Sequence, residues 1–152
     1  MARETFSDLH RIETILKKNY ICTVALEDET APYIFDMNYG YREGAFYFHS
    51  SPRGKKAVLF REKKWAGFWV LSYAELFGDR ADPCSMTMHY ESVTGKAEII
   101  EVTEADEKNA ALNCITTQAG GISGADYTKE SLDGVLILKA VIIEASGKRS
   151  FK

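Results

Sequence analysis

No stretch of this 152-residue sequence approaches the roughly 18 consecutive apolar residues a membrane-spanning helix requires, and no polybasic tail follows an amphipathic helix as an interfacial anchor needs. The opening segment MARETFSDLHRIETIL carries acids and lacks a continuous apolar core. It therefore reads as neither signal peptide nor transit peptide, and a cytoplasmic location with no membrane partner is expected. Cysteine is scarce: Cys22, Cys84 and Cys114 are odd in number and widely spaced, which excludes a disulfide framework and fits a reducing compartment. Histidine is equally scarce, and no pair of histidines or cysteines has ligand spacing, so no metal site is expected. The net charge of -3 leaves no footprint for nucleic acid. The phosphate loop GxxxxGK[ST], the dinucleotide fingerprint GxGxxG and the GxSxG nucleophile elbow are all absent.

What is present is an ordinary globular composition, 45% hydrophobic and 27% charged, which excludes disordered and fibrous classes; residues 1–152 are expected to form a single domain. Two local departures stand out. Residues 33–48 hold Tyr33, Phe35, Tyr39, Tyr41, Phe46, Tyr47 and Phe48, as an aromatic strand pair would. Residues 53–64 then hold six cations against Glu62 alone, a local +5 inside an acidic chain. Each feature has an ordinary explanation, a core hairpin and a solvated helix face. Their adjacency is what draws interest, because the basic segment begins where the aromatic one ends.

Residues 7–19 read as a helix with Ser7 as N-cap and Leu9, Ile12, Ile15 and Leu16 on one face. A strand follows from Tyr20 to Leu26, and an acidic turn leads to YIFDMNYGY. There a period of two puts Tyr33, Phe35, Met37 and Tyr39 on one face and Ile34, Asp36 and Asn38 on the other. Glu43-Gly44 turns the chain into AFYFHSS, and Pro52 and Gly54 end that strand before the short helix KKAVLFREKK. WAGFWVLSYAEL and the long run SMTMHYESVTGKAEIIEV are further strands, the second bent at Gly95. Thr103, with Asp106 three residues on, is expected to cap a helix that stops at Gly120-Gly121. After the polar stretch ISGADYTKESLDG comes VLILKAVIIEA, the most β-branched run and an expected central strand. The fold class is mainly β, an antiparallel barrel with added helices rather than alternating βαβ units.

A phosphate site needs cations, hydroxyls and a backbone that a ligand can approach. FHSSPRGKK supplies Ser50, Ser51, Gly54, Arg53, Lys55 and Lys56 at the start of a helix, whose amides favour an anion. His49 is a candidate catalytic or substrate-contacting group, since an imidazole changes charge near neutral pH; its ordinary alternative is a hydrogen-bonded histidine at a strand end. Cys114, on an apolar helix, reads as a buried thiol. Trp65 and Trp69 share a strand face and read as core or subunit interface, with ligand stacking as the alternative. A planar, phosphorylated ligand satisfies the aromatic hairpin, the anion-binding turn and the barrel together.

CTVAL, PYIFDMNYGY, EGAFYFHSSPRGKK and YESVTGKAEII leading into TEADEKNAAL occur in the order of a known family. Over residues 8–115 the chain resembles the FMN-binding split-barrel proteins related to pyridoxamine 5′-phosphate oxidase, within them the nitroimidazole-resistance-like branch. The resemblance implies a six-stranded antiparallel split β-barrel, a homodimer, and FMN in a groove shared by two subunits. It implies that His49, Ser50, Lys55 and Lys56 surround the FMN phosphate, with Gly54 permitting the close turn. Met37, Asn38 and Tyr39 would run beside the isoalloxazine ring, and Tyr90 and Ser92 would approach from a strand near the dimer interface. His49 would double as the catalytic, substrate-site residue. The basic C-terminal residues that define the substrate of true pyridoxamine 5′-phosphate oxidases have no counterpart in LILKAVIIEASGKRSFK, which points away from that specific activity. The implied function is a flavin-dependent reductase of a small planar, for instance nitroaromatic, acceptor with NAD(P)H as donor. The alternatives are a non-catalytic flavin carrier or sensor, or a split barrel holding haem or a deazaflavin, with His10, His49 and His89 as the histidines available to a haem.

Overall fold

The computed structural model describes residues 2–151, and its organising feature is one antiparallel sheet whose two edges are consecutive in the chain. Its strands are β1 (Ala2–Phe6), β2 (Ile21–Leu26), β3 (Tyr33–Asn38), β4 (Gly40–Arg42), β5 (Ala45–Ser50), β6 (Trp65–Phe77), β7 (Thr87–Val102) and β8 (Leu136–Phe151). The hydrogen-bonded order is β3-β2-β6-β7-β8-β5-β4, with β1 paired to the far end of β8. The six expected barrel strands are the six longest; β1 and β4 are short additions. The sheet does not close by hydrogen bonds, as a split barrel requires. Tyr39 alone links β3 at one edge to β4 at the other. The sequence reads YIFDMNYGY as one strand, but the chain leaves the β2 ladder after Asn38 and joins β5 from Gly40.

Tyr39 is fully buried: its N–H donates to Tyr20 O at 2.9 Å, its hydroxyl to Leu16 O at 2.7 Å, and its ring packs edge-on to Phe46 at 4.9 Å. Around it Phe46, Phe48, Phe68, Val24, Leu26, Val70 and Val93 fill the barrel. The expected bend at Gly95 has a steric cause, since a Cβ there would meet Glu144 O and the Phe68 ring. The β7–β8 register shifts between Lys96 and Ala97, one residue further on.

Four helices decorate this sheet: α1 (Leu9–Lys18), α2 (Lys55–Glu62), α3 (Ala105–Gly120) and α4 (Lys129–Asp133). Three local expectations are corrected. Asp8, not Ser7, caps α1, because its carboxylate reaches the Arg11 amide at 2.9 Å, and Leu9 stays 74% exposed while Ile12, Ile15 and Leu16 are buried. Thr103 does not cap α3: the β7–β8 ladder holds the chain extended to Val102, and Glu104 takes the cap position without a side-chain bond. The stretch expected to be loop contains α4, capped by Thr128, whose hydroxyl accepts from the Ser131 amide at 3.2 Å. Gly121, at φ 71°, does end α3 as expected. Trp65 and Trp69 share the outer face of β6 and are 51% and 43% exposed, so they lie outside this chain's core. Among the described residues, no helix is long and apolar enough to cross a membrane, and no group of three or more His, Cys, Asp or Glu is placed to hold a metal ion.

Candidate functional site at the split

The gap between the two sheet edges is framed on one side by β3. Because the Tyr39 amide bonds Tyr20, the hydrogen-bonded pairs of the β2–β3 ladder are those of Tyr39, Met37, Phe35 and Tyr33. Antiparallel alternation then turns the N–H and C=O groups of Ile34, Asp36 and Asn38 away from β2, toward the open edge. On the other side β5 ends at His49 and Ser50, paired to Ile137 and Leu136 of β8.

Beyond Ser50 the chain turns through Pro52 and Gly54 into α2. Gly54 holds φ 93°, a conformation L side chains rarely adopt, and the space where its Cβ would be is open. The first helical bond runs from Val58 N to Gly54 O at 3.2 Å, and no side chain caps the helix. The amides of Lys55, Lys56 and Ala57 are thus the orphan donors of a helix N-terminus, where a phosphate is favoured by both hydrogen bonding and the helix dipole. Two bonds stiffen the turn: the Arg53 amide donates to Ser51 Oγ at 3.2 Å, and Arg61 Nη1 donates to Pro52 O at 2.9 Å.

The start of α2 stands directly over β3. Lys56 Nζ lies 4.5 Å from the centre of the Phe35 ring and Lys55 Nζ 5.1 Å from that of Tyr33. Phe35 in turn meets Phe60 of α2 edge-on at 5.6 Å. Lys55 also pairs with Asp28 at 2.5 Å. This contact holds the Asp28 carboxyl below its usual range and raises the Lys55 ammonium above its own, chiefly through the hydrogen bond between them.

His49 is exposed on the outer face of β5, the face that carries Ala45 and Tyr47 beneath α3. With Asn38 it lines a cavity of about 400 Å³, walled by α3 and by Ile122 and Tyr127 beyond it. Gly54, Lys55, Lys56 and Ser50 meet at the turn, and Met37 is buried in β3. Tyr39 offers nothing from its side chain, whose hydroxyl is bound to Leu16 O and whose acidity burial weakens further. Tyr90 and Ser92 are not part of this cluster within one chain. They pair with Ser150 and Lys148, and Ser150 lies thirteen residues along β8 from the partner of His49, about 43 Å of strand at ~3.3 Å per residue.

The donor set suits a phosphorylated planar ligand: an uncapped helix start, a glycine with open space, two lysines, and a strand edge with outward amides and carbonyls. Sequence reasoning missed Asp28, which carries no signal of its contact with Lys55. It also missed Ile122 and Tyr127, which lie in a stretch without periodicity.

The sequence profile of the pyridoxamine 5′-phosphate oxidase family matches residues 8–149. Among solved structures, the chain is similar to a candidate 5-nitroimidazole antibiotic resistance protein from Bacteroides thetaiotaomicron. The identity is 24% and the TM-score 0.83, over 97% of this chain and 89% of that one. It is similar to a FAD and haem binding protein from Mycobacterium smegmatis at 20% identity and TM-score 0.85, over 97% of this chain and 74% of that one. A FAD-binding protein from Mesorhizobium loti aligns at 17% identity and TM-score 0.72, over 99% of this chain and all of the other. At these identities the likeness is one of fold. No curated protein matches the sequence.

Proposed function

The chain belongs to the pyridoxamine 5′-phosphate oxidase family, and from that premise we propose that it binds FMN at the split and acts as an NAD(P)H-dependent reductase of a small planar acceptor. The observation that carries this reading is the convergence of three features on one gap: the outward edge of β3, the Gly54 turn, and the uncapped, cationic start of α2. The α2 amides, Lys56 and the Ser50 hydroxyl hold the phosphate, and Gly54 lets it approach the backbone. Lys55 joins them once it leaves Asp28. The Asp36 and Asn38 backbone groups take the polar edge of the ring. When bound, the flavin supplies the electron-transfer chemistry, and the chain supplies binding, orientation and proton handling. In this reading His49, which lines the cavity with Asn38, donates a proton to the acceptor from an imidazole nitrogen.

A second copy completes the reading. Trp65, Trp69 and Leu71 of β6 form an exposed apolar stripe, continued by Leu76 and its cross-strand partner Met88. Stripes of this kind mark protein interfaces. Tyr90 is cross-strand to Ala74 on the same face, so Tyr90 and Ser92 would serve the site of the other subunit in a homodimer.

The visible spectrum of the purified protein, before and after excess flavin and removal of the unbound fraction, tests the reading. Flavin bands stoichiometric with the chain are expected, and NAD(P)H should bleach them. Because two structural neighbours are named as binding FAD, the released cofactor is separated by chromatography. FAD in place of FMN would overturn the FMN assignment, and no flavin of either kind would overturn the whole reading. Stable flavin bands that no nicotinamide bleaches would mark a carrier.

A further inference from the structure

The segment between α3 and α4 has no secondary structure of its own, yet it is fastened at several points along one face of α3. The Asn113 side chain makes a two-bond bridge to Ala125, accepting from its amide at 2.8 Å and donating to its carbonyl at 2.8 Å. Asn109 Oδ1 accepts the Tyr127 amide at 3.1 Å, and the carbonyl of Ile122 accepts the hydroxyls of Thr116 at 3.0 Å and Thr117 at 3.1 Å. Gly121 and Gly124, at φ 71° and 72°, let the strap reverse and run back along the helix. A polar loop tethered in this way is a preformed wall.

That wall carries Ile122 and Tyr127 into the cavity lined by Asn38 and His49. In a chain that is 27% charged, no Lys, Arg, Asp or Glu lines this cavity among the described residues. The cations of the split are on α2, beyond the end of β5. A phosphate monoester in the cavity would find only His49, Asn38 and two hydroxyls and no lysine or arginine to balance its double charge, whereas an uncharged ring needs no such partner.

We propose that this strap, held on α3 by Asn113 and Asn109, is the specificity wall of the flavin site: Ile122 and Tyr127 admit an uncharged ring beside His49 and exclude a phosphorylated one. The inference rests on the flavin reading above. Asn113 and Asn109 are positioning residues, acting through the strap.

The test uses the flavin-loaded protein and two probes of similar ring size, menadione and 1-naphthyl phosphate, each titrated against the absorption of the bound flavin. Menadione should bind at least about tenfold more tightly than the phosphate ester, a typical discrimination for one group in a pocket. Ile122→Trp, at a position 64% exposed and therefore tolerant, should weaken menadione by about tenfold while flavin content is unchanged. Asn113→Leu should weaken menadione severalfold and speed hydrogen exchange at the Ala125 amide, a readout independent of turnover. Equal affinity for the two probes would overturn the proposal, as would an Ile122→Trp protein that binds menadione like the parent. Loss of flavin in Ile122→Trp would also overturn it, by showing that the cavity seats the flavin itself. A parent chain that takes up no flavin fells the flavin reading and this one with it; one that takes up flavin but binds both probes alike fells only the wall.

Discussion

Lys56→Ala tests the proposed phosphate cradle most directly, because riboflavin provides a ligand that differs from FMN only in lacking the phosphate. In the structure the Lys56 ammonium sits 4.5 Å over the Phe35 ring. A cation–π contact at a partly exposed site contributes about 0.5–1 kcal/mol, and a charge-assisted hydrogen bond to phosphate about 1.5–3 kcal/mol. If the ammonium leaves the ring to reach the phosphate, the net contribution is about 1–2 kcal/mol, roughly five- to thirtyfold in FMN affinity at 1.4 kcal/mol per tenfold. Riboflavin gains nothing from that lysine, so its affinity should not change. Quenching of flavin fluorescence, titrated with both ligands against parent and variant, measures the two ratios. The FMN ratio should shrink as salt is raised, because the cradle lies at the surface. A loss of equal size for FMN and riboflavin would refute the argument, since Lys56 would then act through the Phe35 packing rather than the phosphate.

Asp28→Asn should tighten FMN binding severalfold, by releasing Lys55 and removing an anion from beside the phosphate, as the same titration would show. The sign of the accompanying pH effect follows from the lowered Asp28 carboxyl. The Lys55 pair stabilises the fold above the ordinary carboxylate range and is lost as pH falls through the depressed value, so urea midpoints of parent and Asp28→Asn should converge in acid. Burial pushes the Cys22 thiol up to about 12, so in the native protein at pH 8 a thiol reagent should modify exposed Cys84 quickly and Cys22 only on unfolding. Gly40→Ala would drive a Cβ to 2.6 Å from the Cys114 carbonyl carbon, and overpacking of this kind should lower stability by about 1–3 kcal/mol in urea melts. Trp69→Glu should shift the light-scattering mass toward the 17.1 kDa of one chain; a parent already at that mass would refute the homodimer.

Local signals were legible wherever a short stretch decides its own conformation. Glu43 and Gly44 both adopt positive φ, 51° and 78°, as a two-residue hairpin turn demands, and the β-branched run near the C-terminus became β8, bonded to three other strands. The cap of α1 was misjudged by one residue because Ser7 and Asp8 are both good caps, and only the reach to the Arg11 amide separates them. Thr103 failed for a non-local reason: the partner strand, not the cap chemistry, decides where β7 ends. The tryptophans show the limit of periodicity, which places Trp65 and Trp69 on one face but does not say which face is the outside.

The candidate site was legible in its basic turn and not in its surroundings, and Tyr39 explains why. A period of two runs unbroken from Tyr33 to Tyr39, so nothing local marks the point where the chain changes ladders. What breaks the strand is that Tyr39 is tied to α1 and β2 while Gly40 packs against α3 at Cys114, closer than any side chain would allow. Those contacts part β3 from β5 and open the gap beside His49. Asp36 and Asn38 turn their backbone groups outward by the β2–β3 alternation, and that edge stays open because the chain from Gly40 pairs with β5 instead. The same parting sets α2 over the β3 rings, with Lys56 on Phe35 and Lys55 drawn to Asp28. A substitution at Gly40 should accordingly disturb the candidate gap as well as the core, although Gly40 itself lines neither the turn nor the cavity.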